Sequence, residues 1–165
     1  MVARFLQRPA LAGLTLAVLL AAWAASAAVA APTRSEYVAA AEPICKEETL
    51  AHRGVLAGVE GMVERGEIGA AARRLERASS ALDGTLKRLA RLSRPLADRA
   101  RLARWLRHAR KGSALLRQMG SSLERGERRR AEALAATLLR ETKRANAAVA
   151  GFDFDYCRLN PARFA

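Results

Sequence analysis

Aromatic residues are scarce in this sequence and account for 5% of its 165 residues. Proline is scarce as well, with five copies, and there are only two cysteines and two histidines. Strands favour aromatic and β-branched side chains, so a chain dominated by Ala, Leu and Arg favours helix over strand. The scarcity of aromatic residues also removes the stacking platforms that single-stranded nucleic acid needs, so we expect no nucleic-acid partner.

Motifs of catalysis are missing too. The sequence contains no glycine-rich phosphate loop, no GxSxG and no HExxH. The acidic pairs Glu47-Glu48 and Asp153/Asp155 have no basic or nucleophilic partner at a meaningful spacing, and we expect them to be solvated. We predict that the protein is not an enzyme and holds no cofactor or metal.

The two histidines leave one alternative open. His52 and His108, with Met62 and Met119, could form a haem or metal pocket inside a helical bundle. Neither histidine lies cleanly on the apolar face of its helix, and no CxxCH or Glu-x-x-His motif is present. We therefore expect surface histidines and core methionines, while a bundle that carries haem, metal or lipid stays open as an alternative.

Residues 1–30 have the three parts of a secretory signal peptide. Arg4 and Arg8 form the positive start, residues 11–20 form an apolar run, and residues 28–30 form an Ala-Val-Ala cleavage site. Cleavage leaves a mature domain, residues 31–165, which we expect to be secreted or associated with the cell envelope. The alternative is an uncleaved membrane anchor, because the apolar run can span a bilayer.

Apolar residues between residues 34 and 150 recur at intervals of three and four, which predicts helices. Short breaks separate four such segments, so we predict an all-α, up-down-up-down four-helix bundle. The predicted helices cover about 34–64, 68–92, 95–124 and 127–150.

Local signals support these boundaries. Thr33 and Glu36 form a capping box at the first helix, and Pro43 is expected to kink or divide that helix. Ser93 and Pro95 predict the start of the third helix. The tetrapeptide Glu-Arg-Gly-Glu ends both the first and the third helix, which indicates two similar turns or simply a common helix–helix connection.

The tail, residues 151–165, is the only part of the mature chain that does not show helical periodicity. Phe152, Phe154 and Tyr156 alternate with two aspartates, so an extended tail would place its rings on the bundle and its carboxylates in water. In the predicted topology, the tail starts at the same end of the bundle as the first helix.

The tail carries one of the two cysteines. The six steps from Gly151 to Cys157 span up to about 20 Å, and Cys45 lies roughly 18 Å along the first helix. An exported chain with two cysteines within reach of each other predicts a Cys45–Cys157 disulfide. Two free thiols for metal or redox chemistry are the alternative, but no CxxC spacing supports it.

Positive charge is concentrated in the middle of the chain. Residues 73–130 carry 18 basic and 5 acidic side chains, whereas residues 31–72 carry 4 and 7. A basic surface attracts anions, which outside the cytoplasm are phospholipid head groups or wall polymers. The candidate anion-binding residues are Arg101, Arg104, Lys111, Arg128, Arg129 and Arg130. A solvated surface that is partly paired with acids is the alternative.

Several segments resemble a loose group of small exported actinobacterial proteins with no assigned function. The similarity lies in Tyr37-Val38-Ala39-Ala40-Ala41-Glu42-Pro43-Ile44-Cys45, in Pro95 and Trp105-Leu106, in Leu123-Glu124-Arg125-Gly126-Glu127, and in a terminal cysteine after the last helix. The resemblance implies an exported helical domain with a terminal disulfide, and it supplies no catalytic or binding residues.

We therefore predict an exported, non-enzymatic helical bundle that binds a partner in the cell envelope or outside the cell. Two alternatives remain at this point. One is a module that binds anionic membrane surfaces or wall polymers through its basic helices, and the other is a ligand-carrying bundle.

Overall fold

A computed structural model describes residues 31–160 and Arg163, and this part of the chain contains helices and no strand. The predicted all-α class is therefore confirmed, whereas the signal-peptide prediction falls on residues 1–30, outside the described residues. None of the described helices combines the length and hydropathy needed to cross a membrane. The elements are α1 (Arg34–Ala51), α2 (Val59–Glu64), α3 (Ile68–Ala90), a 3-10 turn (Leu96–Asp98), α4 (Arg99–Glu124) and α5 (Arg128–Ala148).

The helix predicted over 34–64 is in fact two helices. The capping box is present, with the Glu36 N–H donating to the Thr33 hydroxyl at 3.2 Å. The expected division at Pro43 does not occur, because buried residues hold α1 against the bundle on both sides of it. The chain instead turns over residues 52–58, where Gly54 and Gly58 have φ angles of 72° and 68°. Such positive angles favour glycine and end the helical path.

The third predicted helix begins later than the sequence suggests. Ser93 provides no cap, and Pro95 precedes the 3-10 turn, so α4 starts only at Arg99. Asp98 closes this turn, and its carboxylate accepts two hydrogen bonds from Arg34, both at 2.8 Å. The 3-10 turn therefore fastens the start of α4 to the start of α1.

Helix α4 is central and packs closely on both α3 and α5. In the seam with α3, the hydroxyls of Ser79 and Ser113 each donate to the other residue's carbonyl at 3.1 Å. At Gly120, a Cβ would lie 3.3 Å from the carbonyl oxygen of Ala72. Small residues therefore let the two helices approach closely, and the paired positions run in opposite order along them.

The two Glu-Arg-Gly-Glu turns have the same hydrogen bonds. The N–H groups of Glu67 and Glu127 each donate to the carbonyl five residues earlier, at 2.8 Å in both turns. Each of these glutamates also pairs with the arginine two residues before it, at 2.7 Å and 2.9 Å. The repeated sequence therefore encodes one local turn, used twice.

Helix α1 packs less tightly into the bundle than the other long helices. Its main helix partner is α3, and it has no comparable contact with α5. The side of the molecule between α1 and α5 is instead spanned by side chains and by the C-terminal tail. This opening positions the candidate site.

Candidate functional site

The predicted disulfide is present and fixes the tail to α1. Cys45 and Cys157 are bonded, with their Cα atoms 5.1 Å apart, and both residues are buried. The bond joins positions 112 residues apart in sequence, so nearly all of the helical domain lies within one covalent loop.

The alternating tail aromatics pack on the bundle as predicted. Phe152 and Phe154 are buried, while Asp153 and Asp155 are exposed. The Phe154 ring lies 5.4 Å from that of Trp105 and 5.3 Å from that of Phe152, measured between centroids. The tail therefore inserts into the main core rather than lying on its surface.

A second attachment point is a carboxylate that the sequence analysis did not single out. Glu42 accepts hydrogen bonds from the backbone N–H groups of Asp155, Tyr156 and Cys157, at 3.1, 2.9 and 3.0 Å. Glu42 precedes Cys45 by three residues, so the two share one face of α1. The sequence spacing of Glu42 and Cys45 indicates that Glu42 lies on the same side of α1 as the disulfide. It does not indicate which backbone groups donate to the Glu42 carboxylate.

Replacing Glu42 with Ala is expected to lower the free energy of unfolding by about 2–3 kcal/mol, since three backbone donors lose an ionised acceptor. Hydrogen exchange should quicken at the amides of residues 155–157 and stay slow in α4. Glu60→Ala is the control, because it removes an exposed carboxylate that forms no hydrogen bond or ion pair among the described residues. Unchanged exchange at those three amides would contradict the proposed clamp.

Two arginines flank the start of the tail. Arg101 donates to the carbonyls of Ala148 and Ala150, where α5 ends. Its guanidinium lies 5.2 Å from the Phe152 ring centroid, and that of Arg34 lies 4.8 Å from the same centroid. Arg101, predicted as an anion-binding residue, is therefore engaged in holding the tail.

An apolar cavity of about 120 Å³ lies between α1, α3, α4, α5 and the tail. Its lining is almost entirely apolar, and every one of these elements contributes to it, as does the turn after α1. Representative lining residues are Leu82, Leu86, Trp105, Ala109, Leu116 and Leu138. The cavity occupies the place where α1 and α5 do not meet.

Three ionisable residues of the lining belong to the turn after α1 and to the tail: His52, Arg158 and Arg163. His52 Nδ1 lies 3.1 Å from the Glu48 carbonyl oxygen. Arg163 donates to the backbone and side-chain oxygens of Asp155 at 2.8 and 2.7 Å. Arg158 is exposed and forms no ion pair within the described part of the chain.

His108 lines the same cavity, which corrects the expectation that it is a surface residue. Its Nδ1 lies 2.6 Å from the carboxylate of Glu141, which is buried. Lys111 and Arg144 each donate to the other oxygen of Glu141 at 2.9 Å. The hydrogen bonds from Lys111 and His108 lower the pKa of Glu141 to about 2.

The low pKa keeps Glu141 ionised in nearly all ordinary conditions. A carboxyl group whose pKa is depressed in the folded state stabilises the fold above its ordinary pKa. That contribution disappears as the pH falls from about 4.5 towards 2. The cluster therefore positions His108 at the cavity wall throughout the neutral range.

The predicted anion-binding residues do not form one unpaired surface. Lys111 pairs with Glu141, and Arg128 and Arg130 pair with acidic residues on or beside α5, at 3.3 and 3.6 Å. Arg104 and Arg129 are exposed and have no ion pair among the described residues. Anion binding by this set stays a prediction.

The acidic pair on α1, Glu47 and Glu48, has a basic partner that the sequence did not reveal. Arg88 donates to Glu47 at 2.6 Å and to Glu48 at 3.1 Å, which ties α1 to α3 beside the cavity. The partner was missed because it lies about 40 residues away in sequence, beyond any local pattern.

The fold separates the histidines from the methionines that could have formed a haem or metal site with them. Both histidines line the cavity, whereas Met62 and Met119 pack in a separate apolar cluster. Among the residues that the structure describes, no group of three or more His, Cys, Asp or Glu side chains could hold a metal ion.

Compared with known protein families, with curated proteins and with solved structures, the chain gives no match.

Proposed function

We propose that the protein is an exported, non-enzymatic helical bundle that binds a small apolar ligand in the cavity beneath its tail. The single observation that carries this proposal is the cavity itself, about 120 Å³ in volume and apolar on nearly all of its lining. This function corresponds to the ligand-carrying bundle that the sequence left open, with a small apolar molecule as the ligand and not haem or metal.

Size and chemistry support an apolar ligand. Engineered apolar cavities of roughly 150 Å³ in another protein stay dry and bind benzene or xenon. Burial of apolar surface contributes about 25 cal/mol per Å², so a molecule that fills such a space gains useful affinity without polar contacts. The disulfide and the hydrogen bonds that Glu42 accepts hold the tail in place, and they therefore pre-organise the cavity wall.

Export is part of the proposal and has support from the covalent structure. Disulfides persist in oxidising compartments and are rare in the cytosol of most organisms. The Cys45–Cys157 bond is therefore consistent with the signal peptide predicted over residues 1–30. The up-down-up-down topology has separate support, because the paired positions along α3 and α4 run in opposite order. The resemblance to exported helical proteins agrees with export and with a helical fold.

Benzene is the direct probe of the cavity. Titration of the domain from residue 31 should shift the methyl NMR signals of Leu82, Leu86 and Leu116 and leave that of Leu139, an exposed leucine, in place. Leu82→Trp should fill the cavity and weaken benzene binding at least about tenfold, because the space that benzene occupies is removed.

Leu139→Trp is the matched control, since it adds the same ring on the exterior of α5. It should bind benzene as the unchanged protein does. Circular dichroism verifies that both variants keep their helices. If benzene produces no shift at the lining residues of the unchanged protein, the proposed function is wrong.

A further inference from the structure

We infer that the ligand is a short single-chain carboxylate, whose alkyl chain enters the cavity and whose head group is bound at the rim by Arg158. This inference rests on the proposed ligand-binding function and specifies its substrate class. The juxtaposition that carries it is an almost wholly apolar chamber next to a basic rim.

The elements around the cavity contribute few charged side chains to its lining. The lining residues from α3 are uncharged, as are those from α5, and α4 supplies His108, which is engaged with Glu141. The remaining ionisable lining residues are Glu48 and His52 from the α1 side, and Arg158 and Arg163 from the tail. Basic groups therefore outnumber acidic ones at the rim.

Most of these charges already have partners. Glu48 accepts from Arg88 at 3.1 Å and lies 3.4 Å from His52, and Arg163 is held by Asp155. Arg158 has no ion pair among the described residues, although it follows the disulfide-bonded Cys157 directly. Its backbone is therefore fixed at the cavity while its guanidinium stays available to an anion.

The geometry selects a single short chain with an anionic head. A guanidinium presents a planar fork that matches a carboxylate in a bidentate arrangement. The cavity volume corresponds to about one benzene-sized group, which suits one short alkyl chain and not the two long chains of a diacyl phospholipid. A fatty acid combines both features in its simplest form.

The test compares hexanoate with 1-hexanol, which shares its six-carbon chain and lacks the charge. Both are titrated into the disulfide-bonded domain at neutral pH and low salt, with the lining methyl signals as the readout. Hexanoate should bind about fivefold more tightly, the upper range for an exposed ion pair. This preference should shrink as the ionic strength rises.

Arg158→Gln should weaken hexanoate binding about fivefold and change 1-hexanol binding less than twofold. Arg110→Gln is the matched control, because it removes an exposed arginine that does not line the cavity. It should leave both affinities as they are. Arg158→Lys should retain part of the preference for hexanoate, since the charge remains.

Equal affinity for hexanoate and 1-hexanol, or an Arg158→Gln variant that keeps the preference, would overturn the inference while benzene binding leaves the proposed function intact. Tighter binding of hexyl phosphate than of hexanoate would overturn the carboxylate assignment. If benzene fails to bind, the proposed function is wrong and the inference fails with it.

Discussion

Replacing both cysteines with serine is expected to lower the free energy of unfolding by about 4–5 kcal/mol. A disulfide limits the conformational freedom of the unfolded chain, and closure of a loop of about 100 residues is worth up to about 4.7 kcal/mol in the chain-entropy model. The Cys45–Cys157 bond spans 112 positions, so it lies at the large end of this scale.

The double variant should nevertheless keep its native helices, because other contacts still hold the tail. Glu42 binds three of its backbone N–H groups, and Phe154 stays against Trp105. Urea unfolding of the domain from residue 31, with and without the two serines, measures the change. Serine at both positions also avoids the free thiol that a single replacement would leave.

The native protein with added reductant serves as a second sample and should unfold at the same lower urea concentration as the serine variant. An unfolding midpoint that does not move in either sample would contradict the prediction. Hydrogen exchange distinguishes local opening of the tail from unfolding of the whole domain. The backbone amides of the tail should exchange faster, whereas those at the contact between α3 and α4 should stay protected.

Replacement of Trp105 with Ala is expected to cost about 3–5 kcal/mol, the usual range for truncating a large buried aromatic residue. Trp105 is 1% exposed and contacts the Phe154 ring of the tail. It also lines the cavity. The substitution therefore removes core contacts, loosens the tail and enlarges the pocket at once.

Trp105→Phe is the informative comparison. The Trp105 Nε1–H is buried and has no hydrogen-bond partner among the residues that the structure describes. A buried donor without a partner costs about 1–3 kcal/mol, so its removal offsets part of the packing that the smaller ring gives up. We expect Trp105→Phe to cost no more than about 1–2 kcal/mol on this basis.

Urea unfolding followed by circular dichroism measures both substitutions, since Trp105 is the only tryptophan after residue 30 and its fluorescence would be lost. Equal losses for Ala and Phe would show that the indole N–H is satisfied in solution, contrary to the structure. A loss below about 1 kcal/mol for Trp105→Ala would contradict the assignment of this side chain to the core.

Predictions from local sequence patterns were accurate to different degrees. The capping box at Thr33 and the alternating aromatics of the tail are confirmed, because short-range spacing fixes which groups share a face. Pro43 does not divide its helix, one of the two effects expected of it, because buried residues hold α1 against the bundle on both sides of the proline. The turn after α1 depends on Gly54 and Gly58, whose left-handed angles the pattern did not reveal.

The contacts that define the candidate site were missed for a common reason. Glu42 and Cys157 are separated by 115 residues, Arg88 and Glu48 by 40, and His108 and Glu141 by 33. No periodicity links positions so far apart. In the sequence, Glu42, Glu48, Arg88, His108 and Glu141 are ordinary polar residues of helical segments.

The sequence by itself determined the helical class, the four long apolar segments and the disulfide, since these follow from periodicity and from a count of two cysteines. Tertiary structure alone decided the cavity, its basic rim and the clamps on the tail. A cavity exists where helices fail to meet, and that depends on where α1 ends, how small residues draw α3 against α4, and where the tail returns. Those distances are set jointly by five elements, so no single stretch of sequence encodes them.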